Sequence, residues 1–510
     1  MYKKMYLSML AVITAFTVAA CSSGTTTEQA DKGKSSDTGT AQTEQSQGPV
    51  EITMFVSDFS QQIPAGGNPT TDYMMEKTNT KLDIQYLPHA DYTKNLDMKF
   101  AAQEYPDVYM NFGGLPSASL MEADMVLPLN DLIDQYGPNL KKNIPQEAWD
   151  AVTVNGQIIS IPQPQVGNAS AERLIYVRKD WLDKLGLDVP ETSDEFLEML
   201  RAFRDGDPNN NGQKDEIPFT MRKNFAWGDN IFGMWGVNPP LGTFAYYEDE
   251  LIHSAAHPNT KNALEFIQTM YQEKLLDADF LTNERANWEQ KIKSGTVGAW
   301  NHVAELAWKW QDDLNQALPN EKPEVIAIPT PQGAGYDGPV GRVHIPILKT
   351  YTIFKTSENP EAVIKMLDWL QSEEGQAFTE MGIEGDTYTV EGDKYVYNAE
   401  KDQPNAWREM IFKMHGYNEK IEQTKLSPEA AAKRKAAFEI AREEGIPNPA
   451  VGMPNSTILD NFDTSFYEVA AKIVLNNDSP DLFDQFIKDW RAQYPGWIEE
   501  ATTWYNDNKK

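Results

Sequence analysis

At 510 residues, with 76 acidic against 45 basic side chains and 40% hydrophobic residues, the chain can fill roughly two to four packing units and is too apolar to be disordered. A formal charge of -31 excludes a general binder of phosphate backbones, which needs a basic footprint. The single cysteine excludes an intrachain disulfide framework and any multi-cysteine zinc site.

Lys3 and Lys4 open the chain, and a mostly apolar stretch follows from Met5 to Ala20. It is shorter than the ~20 residues that span a bilayer. Its end, Val18-Ala19-Ala20-Cys21, resembles the lipobox of bacterial lipoproteins. That resemblance implies a signal peptide over 1–20, cleavage before Cys21, and lipid on the Cys21 sulfur and new amino group. The competing reading is an uncleaved signal anchor with an incidental cysteine. From Ser22 to Pro49 the chain is Ser, Thr, Gly, Gln and small charges, so 21–49 is expected to be a lipidated cysteine and flexible tether reaching roughly 30 Å. The expected location is the outer face of the cell membrane, with attachment through lipid and not through charge.

From Glu51 the pattern alternates between short apolar runs and helical stretches. Glu51–Ser57 reads as a strand, Thr71–Thr78 as a helix, Lys81–Leu87 as a strand, Asp91–Gln103 as a helix and Asp107–Asn111 as a strand. This βαβαβ order predicts a parallel sheet covered by helices. Ligands of open α/β sheets bind beyond the carboxyl ends of the strands, near Ser57–Phe59 and Asn111–Gly114. Asp58 and Asn111 are the polar candidates there.

A second unit follows the Asn155-Gly156 hairpin signal and the Pro162/Pro164 pair. Arg173–Val177 is strand-like and feeds a helix at Asp180–Leu185. Thr192 with Glu195 forms a capping box for a helix running to Arg204. A helix near Asn262–Leu275 and strands at Val297–Trp300, Val325–Ile328 and Tyr351–Phe354 come next. Asn359 as N-cap and Pro360 at the first helical position open a helix through Leu370. From Ser427-Pro428 onward the chain is mainly helical, one helix stopping at Gly445. No second linker interrupts the body, so two lobes would be joined by ordered crossings.

The run Asp207–Glu216 carries the sharpest local signal. Asp207, Asn209, Asn211 and Asp215 place oxygen side chains at positions one, three, five and nine, with Gly212 at six. Calcium takes six to eight oxygens at 2.3–2.6 Å, and this alternation wraps oxygens around one point. Gln213 would add its backbone carbonyl. Pro218 stands where an EF-hand has its bidentate Glu, so Glu216 would supply that carboxylate from position ten. The competing reading is an ordinary Asn- and Gly-rich turn.

Thirteen tryptophans make the second signal. Trp149, Trp181, Trp369 and Trp490 fall in helical patterns and are expected in the core. Trp227, Trp235, Trp288, Trp300, Trp308 and Trp310 are denser than a core requires, and aromatic faces match the C–H faces of sugar rings. Trp300, past a strand end, is the first candidate for touching ligand, followed by Trp227 and Trp235. Catalytic patterns are poor. His253 and His257 have metalloprotease spacing, but Ser254 replaces the general-base Glu and Pro258 opposes a helix. No nucleophile elbow, Walker loop or dinucleotide fingerprint is present. A scattered glycosidase carboxylate pair remains open.

Lipobox, tether, the 51–111 alternation, the run Tyr176–Leu187 and the Asp207–Glu216 loop together resemble family 1 extracellular solute-binding proteins. They are most similar to its large calcium-binding subgroup, which includes alginate-binding proteins and lipoproteins paired with oligosaccharide importers. The resemblance implies a periplasmic-binding-protein-like α/β fold, two α/β lobes around a ligand cleft, crossing hinge segments and a helix-rich C-terminal portion. The expected lobes are 50–165 plus 348–405 and 166–347 plus 406–510. It further implies a non-catalytic monomer that delivers an oligosaccharide to an ABC permease, with structural calcium held by Asp207, Asn209, Asn211, Asp215 and Glu216 and by the Gln213 carbonyl. Places like Trp300 and Trp407 resemble the family's sugar platforms. The alternatives are a surface-anchored calcium-containing glycosidase or lyase, and a sugar sensor or adhesin. Net acidity favours a neutral plant-polysaccharide fragment over a uronide, although Arg173, Arg178, Arg222, Lys223 and Arg342 could reverse that locally.

Overall fold

In chain order the strands are β1 (Val50–Ser57), β2 (Thr80–Leu87), β3 (Val108–Phe112), β4 (Thr153–Val154), β5 (Gln157–Ile158), β6 (Ile161–Pro164), β7 (Arg173–Arg178), β8 (Ile217–Thr220), β9 (Phe244–Tyr247), β10 (Glu250–His253), β11 (Val297–Val303), β12 (Val325–Ile328), β13 (Ile347–Ile353), β14 (Tyr388–Glu391) and β15 (Lys394–Tyr397). The structure, a computed structural model, describes residues 48–508 apart from 60, 65–66, 113, 166–172, 240–242 and 454–456. The expected signal peptide, Cys21 and nearly all of the tether lie outside the described residues. Among the described residues no helix is long and apolar enough to cross a membrane.

The amino-terminal alternation folds as expected. β2, β1 and β3 pair in parallel, with Val50 opposite Thr80 and Met54 opposite Val108. The helix between β1 and β2 begins at Pro69, earlier than its apolar pattern indicates. Asn68 accepts the Thr71 amide at 3.1 Å, and Pro69 sits where no amide partner is needed. The sheet is mixed rather than purely parallel, because β13 returns antiparallel to both β3 and β6, giving the order β2-β1-β3-β13-β6. Asn155 and Gly156, at φ of 51° and 76°, close the short β4–β5 hairpin, as a primed turn requires.

The second sheet has the order β12-β7-β11-β8, with β8 parallel and β7 antiparallel to β11. Side chains of β7 alternate between two cores, as a strand buried on both faces must. Ile175 and Val177 pack with Phe196, Phe203 and Phe219, while Leu174 and Tyr176 pack with Trp288, Trp300 and Trp310. The capping box forms: Thr192 Oγ1 accepts from the Glu195 amide at 3.2 Å, and Glu195 accepts from the Thr192 amide at 3.0 Å. Asn359 does not cap its helix. Its amide instead donates to the Glu51 carbonyl at 3.3 Å, and Pro360 alone marks the start.

The run Tyr176–Leu187 is structural. Arg178, 1% exposed, meets the Asp180 carboxylate through Nε at 2.8 Å and Nη2 at 2.7 Å, and donates to the Gly295 carbonyl at 3.1 Å. Its guanidinium also lies 4.9 Å from the Trp181 ring. This fork-to-fork pair ties β7 to the helix that follows and to the turn before β11. Arg178 is therefore not available to a ligand.

One expected lobe boundary differs. Trp407, Ile411, Phe412 and Met414 pack into the core of the first sheet, not the second. Ile421 belongs with them, packing against Ala377, Met381 and Tyr388. Lys349 on β13 holds the segment by donating to the Met410 and Ile411 carbonyls at 2.6 and 2.9 Å, the unsatisfied groups at a helix end. The chain passes to the second sheet only near Ser427, after which Ala437 and Phe438 pack beside Trp310 and the last helices beside Phe266.

Candidate ligand-binding cleft

The carboxyl ends of β1 and β3 form one wall. Asp58 donates its amide to the Leu87 carbonyl at 3.0 Å, and its carboxylate accepts the His89 amide at 2.9 Å. Ser57 Oγ and His89 Nδ1 are 2.9 Å apart, and Ser57 Oγ also accepts the Phe59 amide at 3.1 Å. These bonds hold Phe59 at a positive φ of 49° and stack it on His89 at 5.4 Å. Phe112 stands edge-on to both rings, at 5.5 Å from Phe59 and 5.4 Å from His89, and is 37% exposed. Asn111 donates to the Leu115 carbonyl at 3.0 Å, so part of its amide is spent on its own loop.

The second wall is the edge where β8 and β11 end and β7 begins. Arg173, paired in register with Val303, donates to Asp229 at 2.7 Å and lies 4.2 Å from the Trp227 ring. Trp227 is half-buried and adopts φ of 60°. It stacks on Trp288 at 6.0 Å with 17° between planes and meets His302 at 4.5 Å. Behind it Asn230 donates to the Arg173 carbonyl and to Thr330, and accepts from Asn301 at 2.7 Å. Thr330 in turn donates its amide and hydroxyl to Glu444 at 2.7 and 3.0 Å.

Charges of the second wall act on a residue of the first. The His89 pKa on the first wall is lowered by burial and by Arg285, with a further push from Arg222, both on the second wall. Burial and the cations Arg285, Arg173, Arg222 and Lys309 likewise hold His302 well below its ordinary value, so it is neutral. Hollows of about 670 Å³ along β2 and about 400 Å³ beside the last helix lie away from these walls.

Three aromatic candidates move into the core. Trp300, 0% exposed, stacks on Tyr176 at 6.0 Å and meets Trp310 edge-on. It lies within β11, which runs three residues past the expected end, so its ring faces the interior. Trp235 is buried against Phe266 and donates its indole N–H to the Ala334 carbonyl at 3.2 Å. Trp407 is buried edge-on to Tyr86. Trp227, Asp58 and Asn111 do reach the walls. Phe59, His89, Phe112 and Arg285 join them without having been singled out in the sequence. Phe59, just beyond β1, and Phe112, the last residue of β3, fall within the strand-end regions Ser57–Phe59 and Asn111–Gly114 where a ligand was expected.

The Asp207–Glu216 loop closes on itself. Asp207 Oδ1 and Oδ2 accept from the Asn211 and Gly212 amides at 3.1 and 3.2 Å, with Asp207, Asn210 and Gly212 at positive φ. Asn209 and Asn211 donate to Asp215 at 3.0–3.1 Å. Both Glu216 carboxylate oxygens are buried and accept no hydrogen bond of good geometry from the protein, the Glu216 and Asp215 backbone amides interacting with them only weakly. Burial raises the Glu216 pKa, and the Asp215 and Asp207 charges raise it further. Two orphaned carboxylate oxygens beside two more carboxylates fit a hard cation supplied from solution. No cluster of three or more His, Cys, Asp or Glu among the described residues is grouped to hold a metal by itself. A calcium ion here would therefore depend on the Asn side chains and the Gln213 carbonyl to complete its oxygens.

Two sheets, each with helices, opposed across a gap and joined by chain crossings define a two-lobed α/β binding-protein fold. The chain matches the family described as bacterial extracellular solute-binding protein over residues 58–377, more than half its length, and it belongs to that family. The fructooligosaccharide ABC transporter substrate-binding protein FusA of Streptococcus pneumoniae is 28% identical over 299 residues, 52% of each chain. Lipoprotein LipO of Bacillus subtilis is 24% identical over 348 residues, 65% of this chain and 66% of its own. The chain thus spans about half to two thirds of the length of these relatives. FusA in complex with kestose matches in structure with a TM-score of 0.70 at 19% identity, covering 90% of this chain and 99% of that one. A FusA EF-hand mutant matches equally, with a TM-score of 0.70 at 18% identity and the same coverage. The alginate-binding protein AlgQ2 without calcium ion gives 0.67 at 20% identity, covering 89% and 98%.

Proposed function

We propose that this protein captures an oligosaccharide between its two lobes and delivers it to an ABC permease, without catalysing a reaction. The observation that carries this is the pairing of two aromatic and polar walls, Phe59–His89–Phe112 and Trp227–Trp288–Arg173, across one open gap. Phe59, Phe112 and Trp227 would offer flat apolar faces to sugar C–H groups, with the fully buried Trp288 backing Trp227, and adjacent carboxylates, amides and guanidiniums would offer partners to hydroxyls. The relatives support the class of ligand, since FusA is a fructooligosaccharide-binding transport component. A ligand touching both walls favours the closed arrangement by its differential contacts, and the crossings between β12 and β13 and near Ser427 would act as hinges.

The same reading assigns structural calcium to Asp207, Asn209, Asn211, Asp215, Glu216 and the Gln213 carbonyl. It anchors a monomer to the outer face of the membrane through lipid on Cys21. The deciding experiment is a fluorescence titration of the full chain in calcium buffer with neutral and acidic oligosaccharides, followed by analysis of the sugar after overnight incubation. Saturable binding with intact sugar is the expected result. Cleaved sugar would make the protein an enzyme, and no response to any sugar would overturn the reading. Replacing Cys21 by Ser is expected to release the protein from membranes.

A further inference from the structure

The two walls are joined through charge as well as through chain. On the first, Lys349 lies opposite Phe112 in register, and its Nζ sits 5.7 Å from the Phe59 ring. Its bonds to the Met410 and Ile411 carbonyls hold the segment that continues into Lys413. On the second, Val303 pairs with Arg173, and Glu305 follows in the turn just after β11. Each wall thus leads into one member of a charged pair, and the pair meets across the lobes.

The two ions are first fixed to their own lobes. Arg434, on the second lobe's helix Pro428–Glu443, bonds Glu305 Oε1 at 2.7 Å, and Glu380, on the first lobe, bonds Lys413 at 2.6 Å. The link between lobes is the longer one, from Lys413 Nζ to the same Glu305 oxygen at 3.7 Å. A charge-assisted N–H···O bond measures about 2.7–2.9 Å, so roughly 1 Å of approach is left. Arg434 and Glu422 also pair across the lobes, but they flank the crossing near Ser427 and are buried, which makes them the pivot. The Glu305 side chain, 30% exposed, is the arm that can move. Attraction between opposite charges steepens as they approach and as closure expels water between them.

We infer that Glu305 is a positioning residue for ligand capture: through Lys413 it sets the spacing of the two walls while the cleft is empty, and the contact tightens as they close. The inference rests on the proposed function and goes beyond it in naming what holds the lobes before a ligand arrives.

Glu305→Gln removes this charge and leaves Lys413 with Glu380 and Arg434 with Glu422, so the variant is expected to keep its thermal midpoint. Small-angle scattering of the full chain in calcium buffer, without sugar, reads the spacing, and the variant is expected to have the larger radius of gyration. Calorimetry with kestose and with trigalacturonic acid, one neutral and one acidic trisaccharide, reads capture. Whichever sugar binds is expected to bind about tenfold more weakly to the variant. A lower midpoint with unchanged radius and affinity marks a merely structural role and overturns the inference. An unchanged radius overturns it too, as does a wider radius with unchanged affinity, or tighter binding by the variant. Binding of neither sugar counts against the proposed function, and the radius then decides this inference alone.

Discussion

Lys413, from the lobe built on the first sheet, and Glu305, in the turn just after β11 in the second, stand 3.7 Å apart and link the charges of the two lobes into one network. Lys413 also contacts Glu380 at 2.6 Å, Lys425 bridges Glu380 and Glu409 at 2.5 and 2.8 Å, and Arg434 holds Glu305 at 2.7 Å and Glu422. Burial would raise the Glu380 pKa, yet Lys413, Lys425 and His415 bring it well below the ordinary carboxylate value. Lys413→Met leaves Glu380 buried and short of a partner, and is expected to cost about 3–5 kcal/mol in denaturant unfolding. Adding Glu380→Leu is expected to cost much less than the sum of the single changes. Because the folded Glu380 pKa is depressed, its contribution is present above the unfolded value of about 4.5 and is lost as pH falls through the folded one.

Glu444 runs the other way. Burial raises its pKa to about 7, despite two hydrogen bonds from Thr330. The folded state then holds a proton that the unfolded state has released, so this contribution is full below about 4.5 and is lost as pH rises through about 7. Thermal midpoints are expected to fall between pH 5 and 8, and Glu444→Gln to flatten that slope.

The two tryptophans on either side of the wall separate binding from stability. Trp227→Ala is expected to weaken sugar binding by about 2 kcal/mol, since the ring is half-buried at the cleft. Trp300→Ala removes a fully enclosed ring and is expected to cost about 3–5 kcal/mol of unfolding free energy. Parallel calorimetry and denaturation of the two variants check the contrast.

Calcium is expected to raise the thermal midpoint after chelation has lowered it. At a hundredfold excess over its dissociation constant the gain is about 2.7 kcal/mol. Glu216→Gln, which removes a charge from the orphaned pair of oxygens, is expected to reduce the gain without changing the sugar titration in saturating calcium.

Local patterns carried most of the architecture. Alternation located β1, β2 and β3, the Thr192–Glu195 pair located a helix start, and Asn155-Gly156 located a hairpin. Each depends on backbone geometry within a few residues, which side-chain periodicity and capping chemistry report directly. The turn from Asp207 to Glu216 likewise closes within one continuous segment, through hydrogen bonds among Asp207, Asn209, Asn211 and Asp215. The antiparallel entry of β13 was not legible, since strand direction depends on where the intervening two hundred or so residues return the chain.

The cleft itself was decided in three dimensions. Trp300 and Trp227 were both candidates to touch ligand, and tertiary packing put Trp300, within β11, into the core and left Trp227 half-buried on the wall. Trp407 went to the first lobe because Lys349 and the apolar face of its helix found partners there. Composition established an acidic protein, yet the cations Arg285, Arg173, Arg222 and Lys309 all act on the buried His302. Composition sums charges over the whole chain, whereas a ligand meets the few that folding brings within a Debye length of one another.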